Sequence, residues 1–82
     1  MKVKYFAWLK EITKVEEENI DDPSITNVNI LKNFLSIKYP KLKKHLKKEN
    51  LIRIAINLSY TYKNDAIKPS DEVALFPPVS GG

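Results

Sequence analysis

The sequence predicts a single α+β domain with the element order ββαβ(β)β, in which one main helix packs on one face of a mixed sheet of four to five strands. Three observations lead to this fold class. The chain has 82 residues, which is room for one domain only. Runs of β-branched and aromatic residues lie on both sides of a single long segment with helical spacing. The last such run, at 72–76, is apolar almost throughout, which is typical of a central strand covered on both faces.

The first two strands are predicted to form a hairpin. Residues 2–7 are rich in β-branched and aromatic side chains, which predicts a strand that includes Phe6. Residues 8–13 follow as a short helical turn. Residues 15–20 predict the second strand, and their acidic side chains suit an exposed sheet edge better than the centre of a sheet.

The main helix is predicted over residues 28–39. Asn27 is a good N-cap, because its side chain can accept a hydrogen bond from the first turn. Leu31 and Leu35 fall on one face at helical spacing, so we expect both in the core. Pro40 ends the helix, because a proline pushes the preceding residue out of the α region.

The second half of the chain predicts the remaining strands. Residues 51–59 alternate most clearly, and one face carries four apolar side chains, namely Ile52, Ile54, Ile56 and Leu58. Residues 60–63 predict a short extra strand. Residues 69–71 read Pro-Ser-Asp, which is a turn signal without glycine, and the last strand follows at 72–76.

The composition excludes several classes of function. The chain has no cysteine and a single histidine, His45, so we expect no disulfide, no metal site and no histidine-based catalytic triad. The first residues lack the apolar core of a signal peptide, and no apolar run approaches the ~18 residues of a membrane span. We therefore expect a cytoplasmic protein that does not enter a membrane.

The net charge of +4 is unevenly distributed. Residues 15–22 carry five acidic side chains, whereas residues 38–50 carry six lysines and one acid and include a lysine cluster at 41–48. The cluster predicts a solvated helical turn in which Leu42 and Leu46, four residues apart, point inward. A small basic nucleic-acid-binding domain is an alternative, but the cluster lacks arginine and has only Tyr39 as an aromatic neighbour, so we expect no nucleic-acid partner.

The two glycines of the chain, Gly81 and Gly82, stand at its C-terminal end. The last predicted strand runs directly into Pro77 and Pro78, which cannot continue a central strand and favour an extended conformation. We therefore divide the chain into a domain at 1–76 and an extended tail at 77–82, which spans at most roughly 20 Å.

The tail is suited to presenting a carboxylate to another protein. A terminal glycine has no side chain, so it can pass through a narrow channel into a foreign active site. Activated by ATP as an acyl-adenylate, its carboxylate becomes an electrophile that a sulfur or amine nucleophile can attack. This chemistry requires no histidine, cysteine or metal in the chain itself.

The sequence resembles the small sulfur-carrying subunits of molybdopterin synthase, which belong to the ubiquitin-like sulfur carriers with a β-grasp fold. Residues 3–7 match the opening strand of that family, and Lys10 and Glu11 match a basic residue followed by glutamate. Asn57 fits an asparagine at the end of the third strand. Residues 71–82, DEVALFPPVSGG, match the last strand and the terminal motif, which is far more specific than two terminal glycines alone.

The resemblance implies a function for the tail. Gly82 is expected to be adenylylated by a ubiquitin-activating-like adenylyltransferase that uses ATP, and then converted to a thiocarboxylate. The sulfur is donated to a pterin precursor in molybdenum cofactor biosynthesis. The chain would thus be the sulfur-donating subunit of an enzyme, without a bound cofactor and not a catalyst alone. Insertion into the partner is expected for Pro77, Pro78, Val79, Ser80 and Gly81.

The resemblance also implies partners. A large synthase subunit is expected to receive the tail in a heterotetramer of two small and two large subunits. Phe76, where the tail leaves the sheet, and Phe6 are candidates for the partner interface, as are Lys10 and Glu11. A sulfur carrier for another pathway, such as thiamine synthesis or tRNA thiolation, or a ubiquitin-like protein modifier would use the same tail chemistry.

Three positions depart from the family pattern. The family commonly has glycine where this chain has Lys14, Leu58 and Ser70. These changes affect turns and leave the tail motif intact, so we expect differences in loop geometry and not in function.

Overall fold

The computed structural model describes residues 1–47 and 52–77. The elements are β1 (Lys2–Tyr5), α1 (Leu9–Thr13), β2 (Glu17–Asn19), α2 (Val28–Lys38), α3 (Lys43–Lys47), β3 (Arg53–Ile56), β4 (Ser59–Thr61) and β5 (Glu72–Phe76), with one 3₁₀ turn at Pro40–Leu42. This order confirms the predicted α+β arrangement with one main helix. None of these helices is long and apolar enough to span a membrane.

The five strands form one mixed sheet in the order β2-β1-β5-β3-β4. β1 and β5 are parallel, whereas the β1–β2, β3–β4 and β3–β5 pairs are antiparallel. The predicted hairpin, the edge position of β2 and the central position of β5 are therefore confirmed. Because parallel strands end at the same edge of a sheet, the end of β5 lies beside the end of β1 and near α1.

The core lies between α2 and one face of the sheet. Leu31 and Leu35 are fully buried against strand residues that include Val3 and Leu75. The Asn27 side chain accepts a hydrogen bond from the Ile30 backbone N–H at 2.9 Å, which confirms the predicted N-cap. The expectation that β5 is covered on both faces is wrong, because its side chains alternate between buried and half-buried. We call the sheet face opposite α2 the open face.

A polar cluster joins the end of α2 to the β1–β2 hairpin. The hydroxyls of Tyr5 and Tyr39 both donate to Glu18 Oε2, at 2.5 and 2.6 Å, and Lys38 Nζ donates to Glu18 Oε1 at 2.5 Å. Burial raises the pKa of Glu18, but the hydrogen bonds from Lys38 and the two tyrosines outweigh burial and hold that pKa below its ordinary value. Burial, and then the Glu18 carboxylate, raise the pKa of Tyr39 to about 12. The cluster therefore fixes the end of β1 with ionised Glu18 at neutral pH.

The internal turns use residues other than glycine in left-handed conformations. Lys14 has φ 67°, and Asn57 and Leu58 have φ 49° and 71°. Two central residues with positive φ between paired Ile56 and Ser59 are the pattern of a type I′ hairpin turn. The expectation that Leu58 shares the apolar face of β3 is therefore wrong, since the strand ends at Ile56 and Leu58 is 91% exposed. Lys14 and Leu58, which stand where the family commonly has glycine, thus adopt the left-handed conformation that glycine favours.

Replacing Leu58 by glycine is expected to stabilise the protein. A non-glycine residue in the left-handed region costs roughly 1–2 kcal/mol, and glycine's greater freedom in the unfolded chain offsets about 0.5–1 kcal/mol of that relief. We expect Leu58→Gly to raise the free energy of unfolding in urea by about 0.5–1 kcal/mol. Leu58→Ala is the control, because it removes the exposed side chain but keeps Cβ. An equal gain in the alanine variant would contradict the backbone explanation.

Candidate functional site

The tail leaves the domain from the central strand of the sheet. β5 ends at Phe76, and β1 and β3 are paired with it on either side. Pro77 is half-buried and directly follows the strand. Pro78, Val79, Ser80, Gly81 and Gly82, for which the sequence predicts an extended reactive tail, lie outside the described residues. The point from which they emerge is therefore held by hydrogen bonds to two neighbouring strands.

Phe6 and Phe76 form an aromatic pair at this point. Their rings are stacked with centroids 4.6 Å apart and planes inclined by 11°. Phe6 lies one residue beyond β1, so its predicted place on the strand is wrong, although its backbone N–H still donates to the Leu75 carbonyl at 3.1 Å. Phe6 is 40% exposed and is therefore not a core residue. The pair presents aromatic surface to solvent where the tail begins.

Two tyrosines extend this surface and were not predicted from the sequence. The Tyr60 ring packs edge-on against Phe76 with centroids 5.9 Å apart, and Tyr62 lies 6.5 Å from Tyr60. We call Phe6, Phe76, Tyr60 and Tyr62 the aromatic strip. Ala55 is paired with Tyr60 on one side and with Ala74 on the other, so two small side chains lie beside the larger rings.

The remainder of the open face is charged. Lys2 and Lys4 on β1 form ion pairs with Glu17 at 3.4 Å and with Glu72 at 3.5 Å. Exposed pairs of this kind contribute little to stability, so their effect at an interface is mainly on the choice of partner. The open face is thus divided into a charged half over β1 and β2 and an aromatic half beside the tail.

Lys10 and Glu11 lie on α1, near the edge where β1 and β5 end. Lys10 Nζ is 3.7 Å from Glu16 Oε1 in an exposed ion pair. Glu11 is exposed and accompanies Lys10 in the first turn of the helix. Both predicted interface residues are therefore near the base of the tail, but neither belongs to the aromatic strip.

The helix α3, which carries part of the lysine cluster, packs against the start of α1. Lys41, Lys43 and Lys44 are exposed, whereas Leu42 and Leu46 are buried, as the spacing predicted. The Trp8 ring packs edge-on against His45 with centroids 5.0 Å apart, which joins α3 to the start of α1. Trp8 is only two residues from Phe6.

The described residues at the end of β5 form an aromatic surface that is partly exposed. Within residues 1–47 and 52–77, no three His, Asp or Glu side chains are grouped so that they could hold a metal ion. The aromatic strip instead resembles the apolar centre of a protein interface, where aromatic side chains contribute most of the binding energy. An aromatic surface of this kind, at the end of β5, can hold a partner against the open face.

Comparison with known proteins places the same features in a family. The ThiS family model matches residues 3–82. The chain is 33% identical over its whole length to the molybdopterin synthase sulfur carrier subunit of Haemophilus influenzae, of which it covers 99%. A solved structure of molybdopterin converting factor, subunit 1, from Pyrococcus furiosus has 32% identity and a TM-score of 0.82, with 95% of both chains covered.

A second solved structure, small archaeal modifier protein 1 from Methanosarcina acetivorans, has 32% identity and a TM-score of 0.79, with 99% of this chain and 94% of that chain covered. These similarities confirm the ubiquitin-like β-grasp fold that the sequence motifs implied.

Proposed function

The chain belongs to the ThiS family, and we propose that it is the sulfur carrier subunit of a molybdopterin synthase. The observation that carries this proposal is that the family match extends to Gly82 and so includes the whole Pro-Pro-Val-Ser-Gly-Gly ending. The Haemophilus influenzae relative with this name is similar along its entire length, which supports the same assignment. The alternative pathways that use such a tail are not favoured over this function.

The chemistry takes place at the Gly82 carboxylate. A carboxylate oxygen attacks the α-phosphorus of ATP on an adenylyltransferase, and pyrophosphate leaves. A hydrosulfide-type nucleophile then adds to the acyl carbon of the adenylate, and AMP leaves to give the thiocarboxylate. The thiocarboxylate sulfur then attacks a carbon of a pterin precursor in the large subunit and displaces an oxygen leaving group, and water hydrolyses the resulting thioester, which leaves the sulfur on the pterin and restores the Gly82 carboxylate. The chain contributes the acyl group, and its partners contribute the catalytic groups.

The fold supports this role by giving the tail a fixed base. β5 is the central strand: Phe76 is paired with Arg53 on β3, and the carbonyl of the preceding Leu75 accepts a hydrogen bond from the Phe6 N–H on the other side. Pro77 and Pro78 then restrict the backbone, which lowers the entropy lost when the tail enters a channel. Holding the reacting carboxylate in a defined geometry is the main way in which such a carrier raises the rate of transfer.

The aromatic strip is the surface that we assign to the large subunit. Aromatic side chains next to the reacting segment are typical of the centre of a lasting interface. Docking of Phe6 and Phe76 would place the tail at the entrance to the partner's active site. The complex is proposed to be a heterotetramer of two small and two large subunits.

The proposal is tested by intact mass spectrometry. The protein is incubated with ATP, the adenylyltransferase and a sulfur source, and its mass is expected to rise by the difference between one sulfur and one oxygen atom. A variant that lacks Gly81 and Gly82 is the control and should fold normally but gain no mass. Sulfur loading of this truncated variant, or no loading of the native chain, would contradict the proposal. A protein modifier would instead form amide-linked conjugates with lysines of other proteins.

A further inference from the structure

The lysine cluster forms a defined basic patch. It consists of Lys41, Lys43 and Lys44, together with His45 and Trp8. None of the ion pairs within residues 1–47 and 52–77 involves these three lysines. Their charges are therefore not neutralised by a carboxylate in the described part of the chain.

The patch is held in place by apolar contacts. Leu42 and Leu46 are buried in the main core, so the backbone that carries the lysines is anchored to the domain. Ile12 and Pro40 line a shallow depression together with the lysines and His45. The patch thus combines a fixed basic surface with a small apolar floor, as many rims of protein interfaces do.

Two ring contacts and a short stretch of chain connect the patch to the end of β5. Phe76 stacks on Phe6 at 4.6 Å, Trp8 follows Phe6 by two residues, and Trp8 contacts His45 at 5.0 Å. A protein that accepts the tail from this side would therefore also face the basic patch. The surface is distinct from the aromatic strip, which lies on the open face of the sheet.

We propose that the basic patch binds an acidic surface on the adenylyltransferase and accelerates its association with the carrier. This inference rests on the proposed function. The chain must leave the adenylyltransferase after sulfur loading, and an exposed charged surface gives fast association without the lasting hold of buried aromatic contacts. The aromatic strip, by contrast, suits the lasting complex with the large subunit.

Charge complementarity to a protein explains the patch better than binding of nucleic acid. Lysine is a strongly hydrated point charge and lacks the bidentate geometry with which arginine contacts bases and phosphates. The one exposed aromatic ring of the patch, Trp8, already packs edge-on against His45. The patch thus offers a single aromatic ring, whereas proteins that bind single strands stack successive bases on several rings.

The experiment compares two full-length variants with the same change in net charge. The first replaces Lys41, Lys43 and Lys44 by glutamine. The second replaces Lys32, Lys63 and Lys68, which lie on α2 and in the connection from β4 to β5. The association rate constant with the purified adenylyltransferase and with the large subunit is measured by stopped flow over a range of salt concentrations.

We expect the first variant to associate with the adenylyltransferase about tenfold more slowly at low salt, with a weaker salt dependence. Its sulfur loading at saturating adenylyltransferase should equal that of the native chain. The second variant should lose less than about twofold in the association rate, and binding of the large subunit should change little in either variant.

Other outcomes overturn the inference. Equal losses in the two variants would show that only net charge matters. A selective loss of large-subunit binding in the first variant would assign the patch to the large subunit instead of the adenylyltransferase. Tighter binding of single-stranded or duplex nucleic acid than of the adenylyltransferase, lost in the first variant, would assign the patch to nucleic acid. If the native chain loads no sulfur at all, the proposed function itself fails. If the native chain loads sulfur normally but the first variant associates as fast as the native chain, only the inference about the basic patch fails.

Discussion

A variant that carries one extra alanine after Gly82 is expected to lose sulfur loading almost completely while folding like the native protein. The extension moves the terminal carboxylate along the chain by about 3.5 Å and adds a methyl group to the segment that we propose enters the partner's channel. A displacement of even about 1 Å from the productive geometry can cost roughly a hundredfold in rate. The loss should therefore be at least that large.

The measurement is a single-turnover assay of adenylate formation and sulfur loading with the purified adenylyltransferase. Gly82→Ala serves as the matched control, because it adds the same methyl group but keeps the length of the tail, and it should retain more activity than the extended chain. The melting temperatures of all three proteins should agree, since the domain is unchanged. Normal loading of an extended chain that mass spectrometry shows to be untrimmed would mean that the terminal carboxylate is not the reacting group.

The elements with strong local signals were predictable from the sequence. The N-cap at Asn27, the spacing of Leu31 and Leu35 and the stop at Pro40 define α2 without reference to the rest of the chain. The hydrophobicity of residues 72–76 likewise indicated a central strand, as the sheet order confirms. In these segments the local preference of the chain agrees with the fold.

The end of β3 was not predictable in the same way. Leu58 continues the alternation of apolar residues, so pattern alone extends the strand through it. The pairing of β3 with β4 instead requires a two-residue turn at Asn57 and Leu58, although leucine disfavours the left-handed conformation. Tertiary pairing therefore overrides local preference at this turn.

The functional site shows the same division between local and long-range information. The terminal motif is contiguous in sequence, so Gly82 could be proposed as the reacting residue without knowledge of the fold. The aromatic strip is assembled from β4, β5 and the residues that directly follow β1 and β4, and its existence depends on the register that brings Tyr60 beside Phe76. The alternation of Leu58, Tyr60 and Tyr62 was the available signal, but only the sheet order connects it to the tail.

Truncating Leu31 is expected to remove much of the stability of the domain. Leu31 lies in the middle of the sheet-facing side of α2 and has no exposed surface. Replacing such a buried leucine by alanine removes apolar contacts and leaves a cavity, so Leu31→Ala should lower the free energy of unfolding by about 2–5 kcal/mol. Small domains have a total stability of roughly 5–15 kcal/mol, so this loss is a large fraction of it.

Ile37→Ala is the matched control for Leu31→Ala, because Ile37 is on the same helix but is 74% exposed, and its truncation should change stability by less than about 0.5 kcal/mol. Both variants are compared by urea unfolding, in which the midpoint should fall for Leu31→Ala while the slope is unchanged. The folded fraction of Leu31→Ala should still load sulfur at low temperature, because Leu31 is a buried core residue and takes no part in the steps proposed at the Gly82 carboxylate. A decrease in the free energy of unfolding below about 1 kcal/mol would show that α2 does not anchor the core through Leu31. Normal stability together with defective sulfur loading would place Leu31 in the transfer chemistry. That result would contradict the separation of a supporting domain from a reactive tail.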